Sequence, residues 1–220
     1  MPTPGLLEPP LPDVGSGGRP PDLPGDGGGR GGGGPRRPDG GRGGASVAIT
    51  GMWVALAPIL MLFLAFTSAY IVRHGLAQDW TPGAVPRLLW VNTLVLLASS
   101  LALERGRAVL RAGGGARIWV VLTLALGVCF VAGQLVAWHQ LAERGLRISS
   151  TPYTSFFFLL TGAHGVHLAG GILGLTAAAA WPARGWRGTP HALVLRLVSI
   201  YWHFMGVLWL GLFALLNFWR

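Results

Sequence analysis

Three histidines lie in stretches of this chain that are otherwise apolar. His164 and His167 sit in Thr161-Gly-Ala-His-Gly-Val-His-Leu-Ala-Gly-Gly171, and His203 sits in Tyr201-Trp-His-Phe-Met205. Imidazoles in hydrocarbon are costly without partners, so each marks a candidate functional site. His164 and His167 are three residues apart and share one helix face. Three imidazoles could in principle hold a haem iron or a redox metal. The alternative is hydrogen bonding across helices to Thr, Tyr, a backbone carbonyl or a lipid phosphate. Metal sites in proteins usually add carboxylates or thiolates to imidazole. Neither accompanies these rings in the sequence: Glu104 closes an apolar segment, and Asp79 and Glu143 lie between segments. The balance favours hydrogen bonding. It also argues against a proton or cation pump, which keeps a carboxylate at mid-membrane depth. Cys129 is the one cysteine, which excludes an internal disulfide, a Cys-x-x-Cys-His haem attachment and a two-cysteine copper site. It reads as a small buried packing residue.

The remaining polar and small residues of these segments have structural readings. Gln134 is an expected hydrogen-bond partner between helices. His74 and His139 fall near segment ends and read as interfacial. Arg73 and Arg196 are candidate lipid-headgroup contacts, because an arginine near a helix end can snorkel to the interface and meet a phosphate. Trp202 and Trp209 form an aromatic stripe whose simplest use is packing or acyl-chain contact. Pro58 should kink the first segment. Gly171 and Gly174 continue the His164–His167 face, while Gly162, Gly165 and Ala169 form a second strip of small residues. Small strips let helices approach closely, so this segment should be central in a bundle with near neighbours on both sides.

The elements that position these side chains follow from hydropathy. Of 220 residues, 51% are hydrophobic and only 11% charged, against about 25% charged in water-soluble domains. Residues 1–45 are Gly, Pro, Arg and Asp with almost nothing to bury, and are expected to be disordered. They contain no apolar core of a secretory signal peptide. Five apolar segments follow, at about 47–72, 85–103, 118–141, 154–180 and 193–219. Each approaches or exceeds the ~20 residues a helix needs to cross hydrocarbon. Long apolar runs without alternation exclude a barrel. The expected fold is an all-α polytopic membrane protein, a bundle of five transmembrane helices behind a disordered tail.

All 17 basic residues are arginine, and the net charge is +9. These arginines flank apolar segments rather than forming a basic face, so no nucleic-acid partner is expected. Arg30, Arg36, Arg37 and Arg42 precede the first segment. Arg105, Arg107, Arg111 and Arg117 separate the second from the third, and Arg184, Arg187 and Arg196 surround the fourth connection. The other side carries Arg73, Arg87, Arg144, Arg147 and Arg220. The positive-inside rule then puts the N-terminus in the cytoplasm and the C-terminus outside. Trp80, Trp119, Trp138, Trp181, Trp186 and Trp219 fall near segment ends, as an interfacial belt would.

Three stretches together resemble one family. Tyr153-Thr-Ser-Phe-Phe-Phe-Leu-Leu-Thr-Gly-Ala-His-Gly-Val-His-Leu-Ala-Gly-Gly171 closely resembles the signature helix of subunit III of the haem–copper oxygen reductases. Tyr201-Trp-His-Phe-Met-Gly-Val-Leu-Trp-Leu210 resembles that family's last-helix motif, and Thr67-Ser-Ala-Tyr-Ile-Val-Arg73 the end of its first conserved helix. The matches occur in the family's order and cover roughly residues 47–219. Five helices correspond to the shorter form of the family. The resemblance implies a non-catalytic subunit docked on subunit I, with haem and copper held by subunits I and II and phospholipid bound in a cleft. It implies a role in proton entry and in protecting the active site during turnover. It also implies a multi-pass protein of a bacterial cytoplasmic membrane. Thr161, Gly162, His164, Gly165, His167, Gly171, Tyr201, Trp202 and His203 are then packing or polar positions of the signature, with no catalytic or metal-binding residue. Two family carboxylates are replaced here, by Ile59 and Gly206.

Within the family, the electron donor is open: cytochrome c, quinol, or a nitric-oxide-reductase-associated complex. Outside it stands a small transporter or metal-binding membrane protein built on the three histidines. That reading predicts inverted repeats or paired broken helices, and the sequence contains neither.

Overall fold

A computed structural model describes residues 42–76, 87–146, 148, 150–180 and 189–219. Of the tail expected to be disordered over residues 1–45, residues 1–41 lie outside these, while residues 42–45 are instead helical and begin the first helix; also outside are Asp79, Trp80, Pro86, Arg147, Trp181, Arg184, Trp186, Arg187 and Arg220. Five helices make up the described chain: α1 (Arg42–Leu76), α2 (Leu88–Arg111), α3 (Arg117–Glu143), α4 (Pro152–Ala180) and α5 (Thr189–Phe218). All five are long and apolar enough to cross a membrane. α1 runs on through Pro58, which removes one N–H from its ladder.

The second helix departs most from expectation. Its apolar run ends near residue 103, but the helix continues for two further turns to Arg111. Glu104 therefore does not close the span; it sits inside α2. An i,i+3 ion pair between Arg107 and Glu104, at 2.6 Å, supports the extension. The helix stops at Gly113, where φ is +82°. There Gly114 N–H reaches back to Val109 O at 2.9 Å and Gly113 N–H to Leu110 O at 3.0 Å, a Schellman closure. α3 ends the same way at Gly145, with Leu146 N–H bonded to Leu141 O at 3.0 Å.

α4 opens on a reciprocal cap. Thr154 N–H donates to Thr151 Oγ1 at 3.2 Å, and Thr151 N–H donates to Thr154 Oγ1 at 3.0 Å. This is a capping box with threonine in the place of the usual acid, and Pro152 occupies the first helical position.

α2 packs along α3, α3 along α4, and α4 along α5. α5 also packs on α2 and α1, so the central role expected of α4 is shared with α5. Side-chain bonds fix the directions. Trp202 on α5 meets Ser99 on α2 while Trp209 meets Thr93, so α2 and α5 run antiparallel. Tyr70 near the end of α1 donates to Trp219 O at 2.7 Å, so α1 runs parallel to α5. The core is one cluster that includes Tyr70, Phe130, Phe157, Trp202 and Trp209. Leucines and valines elsewhere face outward, as expected of helices in lipid.

Cys129 is exposed on α3, contrary to its reading as a buried residue. The buried face of α3 runs through Gly127, Phe130, Gln134 and Ala137, and Cys129 falls off that stripe.

Candidate functional site

Every indole buried at a helix contact needs an acceptor, because hydrocarbon supplies none. Two buried indoles, Trp202 and Trp209, and the half-buried Trp138 solve the problem identically. Trp202 Nε1 donates to Ser99 Oγ at 3.0 Å, and Ser99 Oγ donates in turn to Leu96 O at 2.7 Å. Trp209 Nε1 donates to Thr93 Oγ1 at 3.0 Å, and Thr93 Oγ1 to Leu89 O at 2.8 Å. Trp138 Nε1 donates to Thr161 Oγ1 at 3.1 Å, and Thr161 Oγ1 to Phe157 O at 2.6 Å. A hydroxyl that returns its proton to its own helix keeps a lone pair for the neighbouring helix. The Trp202–Trp209 stripe is thus a pair of hydrogen-bonded ties, and Trp138 is tied to α4 as well as lying near an end.

Glycine brings these partners close. A Cβ on Gly127 would stand 2.6 Å from Trp202 Cη2, and one on Gly133 would collide with the Asn92 carboxamide. Asn92 Nδ2 donates to Phe130 O at 3.5 Å. On α4, Gly171 faces Trp202 and Tyr201, while Gly162 faces Trp138. Gly165 faces open space, so the second strip of small residues is only partly used.

The three histidines go to different places. His164 is buried, its ring walled by Trp209 at 5.2 Å, Phe130 at 6.2 Å and Phe63 at 6.5 Å between centroids. Neither of its ring nitrogens has a hydrogen-bond partner in the protein. His167 shares that face, with Phe63 at 5.6 Å, and its Nδ1 lies 2.8 Å from Ala163 O. Tyr201 Oη donates to His167 O at 2.6 Å, joining α5 to the same turn. Gln134, expected to bond across helices, is buried with both amide atoms unpartnered.

His203 points instead at α2. Its Nε2 is 2.6 Å from Glu104 Oε1, which also accepts from Arg107 Nη1 at 2.6 Å and Ser199 Oγ at 3.2 Å. Arg107 Nη1 also donates to Ser199 Oγ at 3.2 Å. An ionised carboxylate only accepts, so Nε2 of His203 carries a proton here. A carboxylate does therefore accompany one histidine, which the position of Glu104 at the end of an apolar run concealed. Arg73 is partly buried at the end of α1, and Arg196 is exposed near the start of α5.

This arrangement does not fit a haem or copper site. The His164 ring is enclosed by aromatic carbon, and His203 is committed to Glu104 across another face of α5. Among the described residues, no three His, Cys, Asp or Glu side chains come together as a metal set.

The same segments match a known profile. The family description "Cytochrome c oxidase subunit III" fits residues 47–220, which takes in all five spans apart from the first residues of α1. The chain belongs to the cytochrome c oxidase subunit III family. Among curated proteins, this subunit III chain is 34% identical over 176 residues to the probable cytochrome c oxidase subunit 3 of Nocardia farcinica, covering 77% of this chain and 87% of that one. It is 33% identical over 177 residues to cytochrome c oxidase subunit 3 of Corynebacterium diphtheriae, covering 76% and 86%. It is 32% identical over 162 residues to the Synechocystis subunit, covering 70% and 68%.

Asn92, Thr93, Ser99, Glu104 and Ser199 were not singled out as site residues from sequence. For Thr93 and Ser99 a signal was available: each mid-span indole calls for a hydroxyl at matching depth on another span.

Proposed function

We propose that this chain is the non-catalytic subunit III of a terminal oxidase that reduces oxygen to water with electrons from cytochrome c. Haem and copper then belong to subunits I and II, and this subunit supports proton uptake by subunit I and its stability during turnover. One observation carries the reading: the polar groups of the signature helices are bonded to one another or enclosed by aromatic rings, which suits a rigid scaffold.

Phospholipid is the remaining ligand of this reading. Arg73 and Arg196, at opposite ends of the bundle, are the headgroup-contacting arginines, and Arg196 leaves the acyl region free to run along apolar helix faces. The N-terminal side is cytoplasmic; Arg105, Arg107, Arg111, Arg117 and Arg196, on the end shared by the start of α1, support that orientation.

The test is to purify the oxidase with and without this subunit. The expected result is an unchanged haem spectrum, with slower proton uptake and a shorter catalytic life in the depleted enzyme. Loss of haem in proportion to the missing subunit, or an unaltered catalytic life, would overturn the proposal.

A further inference from the structure

One acceptor atom joins α2 to α5 at the end of the bundle where α1 begins. Glu104 Oε1 accepts from Arg107 Nη1 of its own helix, and from His203 Nε2 and Ser199 Oγ of α5. Glu104 follows directly on the apolar run of α2, with Arg105 and Arg107 after it, the pattern of a span end. The side chains of His203 and Glu104 are 35% and 41% exposed. Deeper in the bundle the same two helices are tied by Trp202 to Ser99 and by Trp209 to Thr93, and these ties contain no titratable group.

We propose that the Glu104–His203 cluster is a pH-sensitive clasp, which grips α2 to α5 more tightly when His203 is protonated. Imidazole is the side chain whose charge changes between about pH 5 and 8. Neutral His203 still donates from Nε2–H to Glu104, but a donor without charge makes the weaker bond. The charges carried by the surrounding elements set the sign. α2 adds Arg105, Arg107 and Arg111, α5 adds His191 and Arg196, and α3 begins with Arg117. His164 of α4 is walled by Trp209, Phe130 and Phe63, and His167 lies against Phe63. Tyr70, Arg73 and His74 of α1 and Tyr153 of α4 lie towards the opposite end of the bundle. Among the described residues, Glu104 is the one acid at this end. A protonated His203 is thus held by a single carboxylate, at 2.6 Å, among several arginines. Without that carboxylate the same imidazolium meets only like charge, and protonation would push α5 away from α2.

The inference requires this chain to sit in an oxidase but gives it no part in proton uptake, so it goes beyond the proposed function and can fail separately. Its test follows thermal release of the subunit from the complete oxidase at about pH 6 and about pH 8, on either side of ordinary imidazole titration. Comparing variants at the same pH cancels titration of the other subunits. Haem absorbance and subunit stoichiometry before heating report assembly. His203→Gln keeps a donor and loses the titration. The wild-type subunit should outlast it roughly threefold at the lower pH and scarcely at the higher. With Glu104→Gln the imidazole becomes a liability: that variant should be released faster at the lower pH than Glu104→Gln combined with His203→Gln. If the Glu104 variants do not assemble, Arg107→Gln takes their place; it leaves the carboxylate to α5 alone, and the advantage of His203 over glutamine should then grow. An advantage that does not rise from the higher pH to the lower overturns the clasp. So does an equal advantage with Glu104 replaced, or one that does not grow with Arg107 replaced, because His203 would then act on some other partner.

Discussion

A tryptophan N–H in hydrocarbon either finds an acceptor or costs its full desolvation. Ser99 supplies that acceptor to fully buried Trp202. Ser99→Ala should therefore cost about 1–3 kcal/mol, because it strands the indole, whereas Ser99→Thr keeps the hydroxyl and should cost less. Resistance of the subunit to thermal release from the oxidase measures both. His164 presents the opposite case. Its ring is buried among Phe63, Phe130 and Trp209, and its nitrogens have no protein partner. Replacing it by a ring of similar shape and no polar atoms removes a desolvation cost without opening a cavity. His164→Phe should leave the subunit at least as stable as the wild type. A loss of more than ~1 kcal/mol in the same assay would show that the imidazole itself is required.

Helices here recognise each other through small residues placed against large ones. Trp202 reaches the α3 backbone because Gly127 has no side chain, and Tyr201 packs on α4 at Gly170 and Gly171. Gly127→Ala should push the Trp202 indole aside and cost about 1–3 kcal/mol through overpacking. Gly165 is the matched control, since nothing approaches it. Gly165→Ala should be neutral or stabilising by up to about 1 kcal/mol, the helix preference of Ala over Gly. Unfolding in mixed micelles, followed by far-ultraviolet circular dichroism, separates the two. Equal effects would show that close approach at Gly127 is not what joins α5 to α3. The last turn of α5 is held differently. Tyr70 of α1 donates to Trp219 O and Tyr153 of α4 to Leu216 O, filling carbonyls that a helix end leaves without partners.

Across the molecule, the five spans among the described residues put the start of α1 and the end of α5 on opposite sides of the membrane. A periplasmic-active phosphatase fused after Arg220 should be active, and the same enzyme fused before residue 42 should be inactive. The reverse pattern would refute the proposed orientation. α1 is the most outward-facing of the five described helices, although it packs on α4 and α5. That exposure leaves α1 the widest apolar face for lipid or for other subunits of the oxidase.

Five spans, their helical nature and the family were determined by the sequence alone. Hydropathy accumulates along a contiguous run, so Val47 to Phe218 can be divided into spans without knowing what touches what. The shared face of His164 and His167 was equally legible, because helix spacing sets it. Which side of each helix faces inward was not. α3 and α4 are apolar on nearly every side, so the usual contrast between a wet face and a dry face is missing. Rotation about the helix axis therefore decided that Cys129 looks outward, that Gln134 meets no partner and that Trp202 finds Ser99. Glu104 shows the same limit. Its place at the end of an apolar run marked it as a boundary, and only the packing of α2 on α5 added His203 and Ser199 to the Arg107 that its own helix supplies.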